Sequence, residues 1–340
     1  MGVTSLAQIY ITDNKAKIGI QKGRIVINQT KNLTRSIPIE NVEGITIIGN
    51  GQITTSCLGE CLKRGIAVQY YSSKGFYFGK VSSTQHVNTN RQRKQIKLTE
   101  DQAFSLRLSK NILKAKLNNQ IVVLRRYQRT SFSNVEEEIK QMAILKSKLI
   151  YANSAFEVLG YEGNGARLYF KGLSKLIENP NFKFKGRTRR PPRDPFNSML
   201  SLGYTIIMND IYGAIEGRGL NPYFAFIHQD REKHPTLASD LMEEWRAIIV
   251  DSMAMSLVNG NEIDISHFYK NKETQGVYFI DDGLKIFIKK LEKKMETSTK
   301  YLEYINYSTT FRRAIDMQIM QLCKAIEEEN PELYYPIKIR

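Results

Sequence analysis

Residues 228–246 read HQDREKHPTLASDLMEEWR. A histidine closes an apolar run, a charged loop follows, and a helix opens carrying Asp240, Glu243 and Glu244. Leu237, Leu241, Trp245, Ile248 and Ile249 mark the buried face of that helix, and Pro235 suits its start. Asp240 and Glu244 lie on one flank of this face, with Glu243 a little further round. Asp240 and Glu243 are three apart and reach a shared centre from successive turns. Carboxylates beside a core are costly unless a cation meets them. Spacing does not tell Glu243 from Glu244.

A second acid and a histidine join this set. Ala166, Phe170, Leu173 and Ile177 share one face of a helix predicted over 162–178, and one step of four back from Ala166 lands on Glu162. The spacing puts Glu162 in the first turn, on the core-facing stripe. NPYFAFIH, at 221–228, reads as a buried, extended segment delivering His228 to a fixed place. Alone, Glu162 reads as a salt-bridged acid and His228 as a satisfied core histidine. Together with the acids of 240–244, they point to one divalent ion, and oxygen ligands with one imidazole suit Mg²⁺ or Mn²⁺. Zinc fits less well, because Cys57, Cys61 and Cys323 offer no matching ligand set. His86, His234 and His267 lie in no comparable acidic surroundings. A divalent ion beside a basic surface performs phosphodiester chemistry.

The surface is basic. Fifty Lys and Arg against 34 Asp and Glu leave a formal charge of +16 over 340 residues. That excess favours a polyanionic partner, nucleic acid first and an acidic membrane surface second. Between Glu178 and Asp194 lie Lys183, Lys185, Arg187, Arg189, Arg190 and Arg193, with no acid among them. With Phe182, Phe184 and prolines, this stretch reads as a loop that tracks phosphates. The competing reading is a solvated charge run. Arg125, Arg126 and Arg129 read as a solvated helix end, and Tyr161, Tyr169 and Tyr223 as packing residues that could also stack on bases.

The elements that must hold these residues differ along the chain. AQIYI, AKIGI, RIVI, TRSIPI, GITII, AVQYY and FYFGKV are strand-like runs broken by turn residues, with one helical insert at 54–65 stopped by Gly65. They predict a small N-terminal β-sandwich domain over 1–85. SSTQHVNTNRQRKQIK is polar and acid-free, and 86–97 reads as a basic linker. Helical periodicity then runs over 100–129, 134–159, 162–178, 195–215, 236–258, 282–304 and 309–328, predicting an all-α catalytic domain over 98–340. No apolar run is long enough for a membrane span, and the N-terminus lacks the pattern of a signal peptide. With three cysteines, an odd number, the expectation is a soluble cytoplasmic protein with reduced, buried thiols.

YEGNGARLYF at 161–170, NPYFAFIH at 221–228 and LASDLMEEWR at 237–246 together resemble the CRISPR-associated spacer-acquisition integrase, the metal-dependent nuclease of the adaptation complex. Their order and spacing, and the β domain before them, extend the likeness over essentially the whole chain. The resemblance implies metal ligands at Glu162, His228 and Glu243, a supporting acid at Asp240, and Arg246 completing the motif among the DNA-contacting residues. EKHPTLAS departs mildly from the family's usual arginine–proline–serine wording. The resemblance further implies a homodimer, two of which flank a dimer of a small ferredoxin-like partner in a heterohexamer. The implied reaction is insertion of double-stranded foreign DNA into a CRISPR array by 3′-hydroxyl transesterification. Two other functions suit the same residues: a stand-alone divalent-metal DNA nuclease of repair or mobile-element type, and a non-catalytic nucleic-acid-binding module.

Overall fold

β-Branched and aromatic residues at short intervals favour pleated, half-buried strands in the N-terminal part of the chain. In the computed structural model, which describes residues 7–30, 33–300 and 304–339, these runs form two four-stranded sheets. The first has the order β1 (Ala7–Ile11), β5 (Val42–Ile48), β7 (Ala67–Tyr71), β8 (Tyr77–Val81); β1, β5 and β7 are parallel and β8 is antiparallel to β7. The second has the order β4 (Leu33–Pro38), β3 (Arg24–Gln29), β2 (Lys17–Gln21), β6 (Gln52–Ile53). Gln21 pairs with Arg24, so Lys22 and Gly23 alone turn the β2–β3 hairpin, and both have the positive φ that such a turn needs. Isoleucines of both sheets, with Cys57 and Cys61 of α1 (Thr55–Lys63), form one buried cluster. Gly65, at φ +71°, ends α1 as expected: its N–H donates to Leu62 and that of Ile66 to Cys61.

The chain divides into two compact units, Met1–His86 with Phe279–Ile288, and Val87–Tyr278 with Lys289–Arg340. The second is mainly helical: α2 (Thr89–Glu100), α3 (Gln102–Gln128), α4 (Glu136–Lys148), α5 (Ala155–Lys175), α6 (Pro195–Gly217), α7 (Thr236–Met242), α8 (Ser252–Asn259) and α10 (Phe311–Glu327), with α9 spanning Asp281–Met295. Arg246–Asp251, between α7 and α8, is a π-helical turn. None of the described helices is long and apolar enough to cross a membrane.

Four expectations need correction. The linker 86–97 is helical from Thr89: the Asn88 side chain caps Arg91, while Gln95 and Leu98 are buried on successive turns. Its basic residues are also committed, Arg91 and Lys94 bonding to Glu327. The C-terminal region is not all-α, because β9 (Phe268–Lys270) pairs with β10 (Val277–Phe279), and β11 (Ser298–Thr299) with β12 (Thr309–Thr310). The helix expected over 282–304 ends at Met295, and residues 301–303 lie outside the described ones. The boundary expected at 159–162 falls instead at 152–154. There the Ser154 hydroxyl accepts from Glu157 N–H and the Glu157 carboxylate accepts from Asn153 N–H, a capping arrangement written in the sequence as S-x-x-E.

Moving that boundary also moves Glu162. It lies well inside α5 rather than in its first turn, so the helix terminus contributes nothing to its charge. Its stripe comprises Val158, Gly165, Tyr169 and Gly172, not Ala166 and Phe170. The two glycines are needed here: a Cβ at Gly165 would collide with Leu117, and one at Gly172 would lie 3.2 Å from Leu124, both on α3. Their absent side chains let α5 approach α3 closely.

Candidate metal centre

α7 and the turn after it are buried on nearly every side, not on one face. Each acid of this segment is therefore buried and needs its own partners. Asp240 is fully buried and caps the loop before it: its Oδ2 accepts from the N–H groups of Phe226 (3.0 Å) and Ile227 (2.8 Å). The loop bends around this carboxylate, so the segment expected to be extended is a tight coil. His228 Nδ1 lies 2.7 Å from Asp240 Oδ1. Burial raises the Asp240 carboxyl above its ordinary value, and the His228 bond and the two amides offset this only in part. Donors on both oxygens suit a carboxylate, so Nδ1 carries the hydrogen and Nε2 keeps its lone pair. The Asp240 bond in turn raises the His228 pKa, with smaller contributions from the nearby charges of Glu243 and Glu162.

Glu243 is 3% exposed and bracketed by cations. Its Oε1 lies 2.9 Å from Arg246 and its Oε2 2.7 Å from the Lys116 ammonium of α3. Burial opposes its charge, yet Arg246 and Lys116 prevail and hold the carboxyl well below the usual range. Lys116 also pairs with Glu162, which is 19% exposed. Glu162 and Glu243 thus face one cation from two sides, with His228 in electrostatic reach of both. Among the described residues no three His, Cys, Asp or Glu side chains are already gathered as a ligand cluster, because Lys116 stands between the two glutamates. The donor set suits a hard divalent ion: two carboxylates that already share a cation, and an imidazole nitrogen freed by the bond on the other side of its ring.

Glu244 points elsewhere. Its carboxylate accepts from Tyr334 hydroxyl (2.7 Å) and Ile337 N–H (2.6 Å), fastening the C-terminal segment, and burial pushes its pKa up to about 8. The structure therefore separates the two glutamates that spacing left equivalent.

The basic residues also divide. Lys183, Lys185, Arg189, Arg190 and Arg193 are exposed, while Phe182 and Phe184 turn inward. Phe184 packs on Phe196 with ring centroids 4.8 Å apart. Arg187 is not a free contact residue. Its guanidinium donates to Asn197 (2.9 Å) and Ser201 (3.0 Å) and lies 5.3 Å from the centre of the Tyr204 ring. Arg246 lies 5.2 Å from the same ring, so Tyr204 joins the basic loop to the Glu243 pair. The Tyr204 and Tyr169 hydroxyls both donate to buried Asp251, whose pKa burial raises to about 6. Tyr169 is thus a core residue, and Tyr223 stands edge-on to Tyr212. The three cysteines are buried and free.

A family model described as "CRISPR associated protein Cas1" matches residues 9–293. The chain belongs to the Cas1 family. It is 35% identical over 334 residues to the "CRISPR-associated endonuclease Cas1" of Mycobacterium tuberculosis (strain CDC 1551 / Oshkosh), covering 98% of each chain. Its fold resembles those of solved structures, among them these two. The first is a casposase bound to an integration product, with a TM-score of 0.83 and 21% identity over 95% of this chain and 91% of that one. The second is a Cas6-RT-Cas1–Cas2 complex, with a TM-score of 0.82 and 22% identity; the match covers all of this chain and 37% of the longer one.

Within this Cas1 fold, Lys116 and Asp251 are the site neighbours that motif reading passed over. Lys116 had a signal: Leu108, Ile112, Lys116 and Gln120 are each four apart on α3, which puts a lysine in the core-facing stripe. Asp251 had none that spacing could separate from an ordinary helical acid.

Proposed function

We propose that this chain is a divalent-metal-dependent DNA endonuclease and integrase that inserts DNA fragments into a CRISPR array. In this reading Glu162, His228 Nε2 and Glu243 hold Mg²⁺ or Mn²⁺. When bound, such an ion offsets charge on the phosphodiester and activates the attacking hydroxyl. Asp240 orients His228 and fixes its tautomer, and Arg246 keeps Glu243 ionised inside the fold. Lys183, Lys185, Arg189, Arg190 and Arg193 follow the DNA backbone, and Arg187 anchors their loop.

The observation that carries the reading is the His228–Asp240 pair at 2.7 Å, set beside two glutamates that already share a cation. The casposase and Cas1–Cas2 likenesses support the same direction. We infer further that the protein works as a homodimer, two copies of which flank a dimer of a small ferredoxin-like Cas2-type partner on double-stranded DNA.

The test is joining of a 3′-hydroxyl DNA fragment to a repeat-containing plasmid in Mn²⁺ or Mg²⁺, with and without the partner. Wild type should join at the repeat boundary, and His228→Ala or EDTA should abolish joining. Undiminished joining by His228→Ala would contradict the reading.

A further inference from the structure

Lys116 has no role in the chemistry above, yet it stands at the centre of the site. Its ammonium is ion-paired with Glu162 and lies 2.7 Å from Glu243 Oε2, on a side chain only 3% exposed. A single positive charge thus fills the gap where the proposed function needs a double one. Two cations so close together, shielded from water, repel strongly, so a divalent ion at the glutamates favours departure of the ammonium. The contact with Glu243 is an ion pair held by charge, which a divalent ion can replace.

A receiving group lies one turn along α3. Gln120 is 4% exposed, and its Oε1 has no hydrogen-bond partner. A buried amide oxygen without a donor is costly. Residues four apart on a helix are neighbours, within reach of a lysine side chain. An ammonium leaving the glutamates would satisfy that oxygen.

We propose that Lys116 is an internal counter-ion, which holds Glu162 and Glu243 together in the metal-free protein and moves to Gln120 Oε1 when the divalent ion enters. This rests on the proposed metal-dependent function and adds how the site is kept before loading. The lysine's single charge offsets part of the repulsion between the two carboxylates, of which Glu243 is also paired with Arg246. It also weakens metal binding, because each ion must first displace an ammonium.

The experiment is calorimetric titration of the full chain with Mn²⁺, paired with thermal melts in EDTA and in excess Mn²⁺. Lys116→Met should melt lower than wild type in EDTA, gain more from Mn²⁺, and bind it about tenfold tighter. Gln120→Leu should melt no lower than wild type in EDTA and bind Mn²⁺ several-fold more weakly. Lys116→Arg, which keeps the charge, should bind no tighter than wild type. Equal or weaker Mn²⁺ binding by Lys116→Met overturns the proposal. So does a Lys116→Met protein that stays unfolded in excess Mn²⁺, since the ion then cannot replace the ammonium. Wild-type affinity in Gln120→Leu overturns the move to Gln120. Absence of specific Mn²⁺ binding by wild type would instead defeat the metal-dependent reading itself, which separates the two failures.

Discussion

Glu243 and Glu244 are adjacent in the chain and both almost fully buried, yet their surroundings are opposite. Glu243 meets cations, Arg246 and Lys116, and its pKa falls. Glu244 meets neutral donors, the Tyr334 hydroxyl and the Ile337 amide, and burial lifts its pKa to about 8. Burial alone therefore says little about what an acid does. What matters is whether its partners are charged and exchangeable, as at Glu243, or neutral and part of the fold, as at Glu244. One centre is suited to trading cations and the other to fastening a chain end.

Breaking each side in turn sharpens this contrast. The largest effect belongs to Glu243→Gln, which should lower Mn²⁺-dependent DNA joining by about a thousandfold or more, while Glu244→Gln keeps it within several-fold. Equal losses in the same joining assay would erase the distinction. Asp240→Asn should come next, weakening Mn²⁺ binding by roughly 10–100-fold in a calorimetric titration because His228 loses the bond that fixes its ring. Wild-type affinity there would mean that His228 is oriented by something else.

Removing the Glu244 carboxylate altogether should act on stability. Glu244→Ala leaves two donors without an acceptor and should cost on the order of 2–4 kcal/mol in urea unfolding. It should also speed trypsin cleavage at Lys338, and an unchanged digestion rate would show that the C-terminal segment is fastened elsewhere. Dependence on pH should separate the neighbours further. The folded pKa of Glu244, about 8, exceeds its ordinary value of 4.5, so the folded state holds more protons between them. Its contribution to stability is full below pH 4.5 and is lost as pH rises towards 8. Glu243 is depressed, so its contribution is present above its ordinary value and is lost as pH falls. Melting curves of Glu244→Gln should therefore flatten on the alkaline side and those of Glu243→Gln on the acid side; the reverse pattern would refute both assignments.

The smallest effect is expected in the basic loop. Neutralising Arg189 and Arg190 should weaken binding to all DNA sequences and lower the salt slope by about two. Arg187→Ala should instead lower stability, through Asn197, Ser201 and Tyr204.

Much of this was readable in the sequence, for physical reasons that differ by residue. Strand runs, Gly65 and the positions of α3, α6 and α10 follow from periodicity and turn chemistry, which are local. The Glu162, His228 and 240–244 set was visible because polar groups interrupt apolar stripes. Two kinds of feature were hidden. Composition misled at 86–97, where two buried residues, Gln95 and Leu98, are enough to hold a polar helix against its neighbours. Partner choice was the other: nothing local says that Glu243 meets Lys116 while Glu244 meets Tyr334, because these partners lie on α3 and in the C-terminal segment. Arg187 misled for the same reason, its ring and amide partners lying on α6.

The central claim is that one divalent ion is held by Glu162, His228 and Glu243. Diffraction from crystals grown with Mn²⁺, measured at the manganese edge, tests it most directly. The account predicts one strong anomalous peak bonded to His228 Nε2 and to carboxylate oxygens of Glu162 and Glu243. A peak bonded to other residues, or none at saturating Mn²⁺, would contradict it.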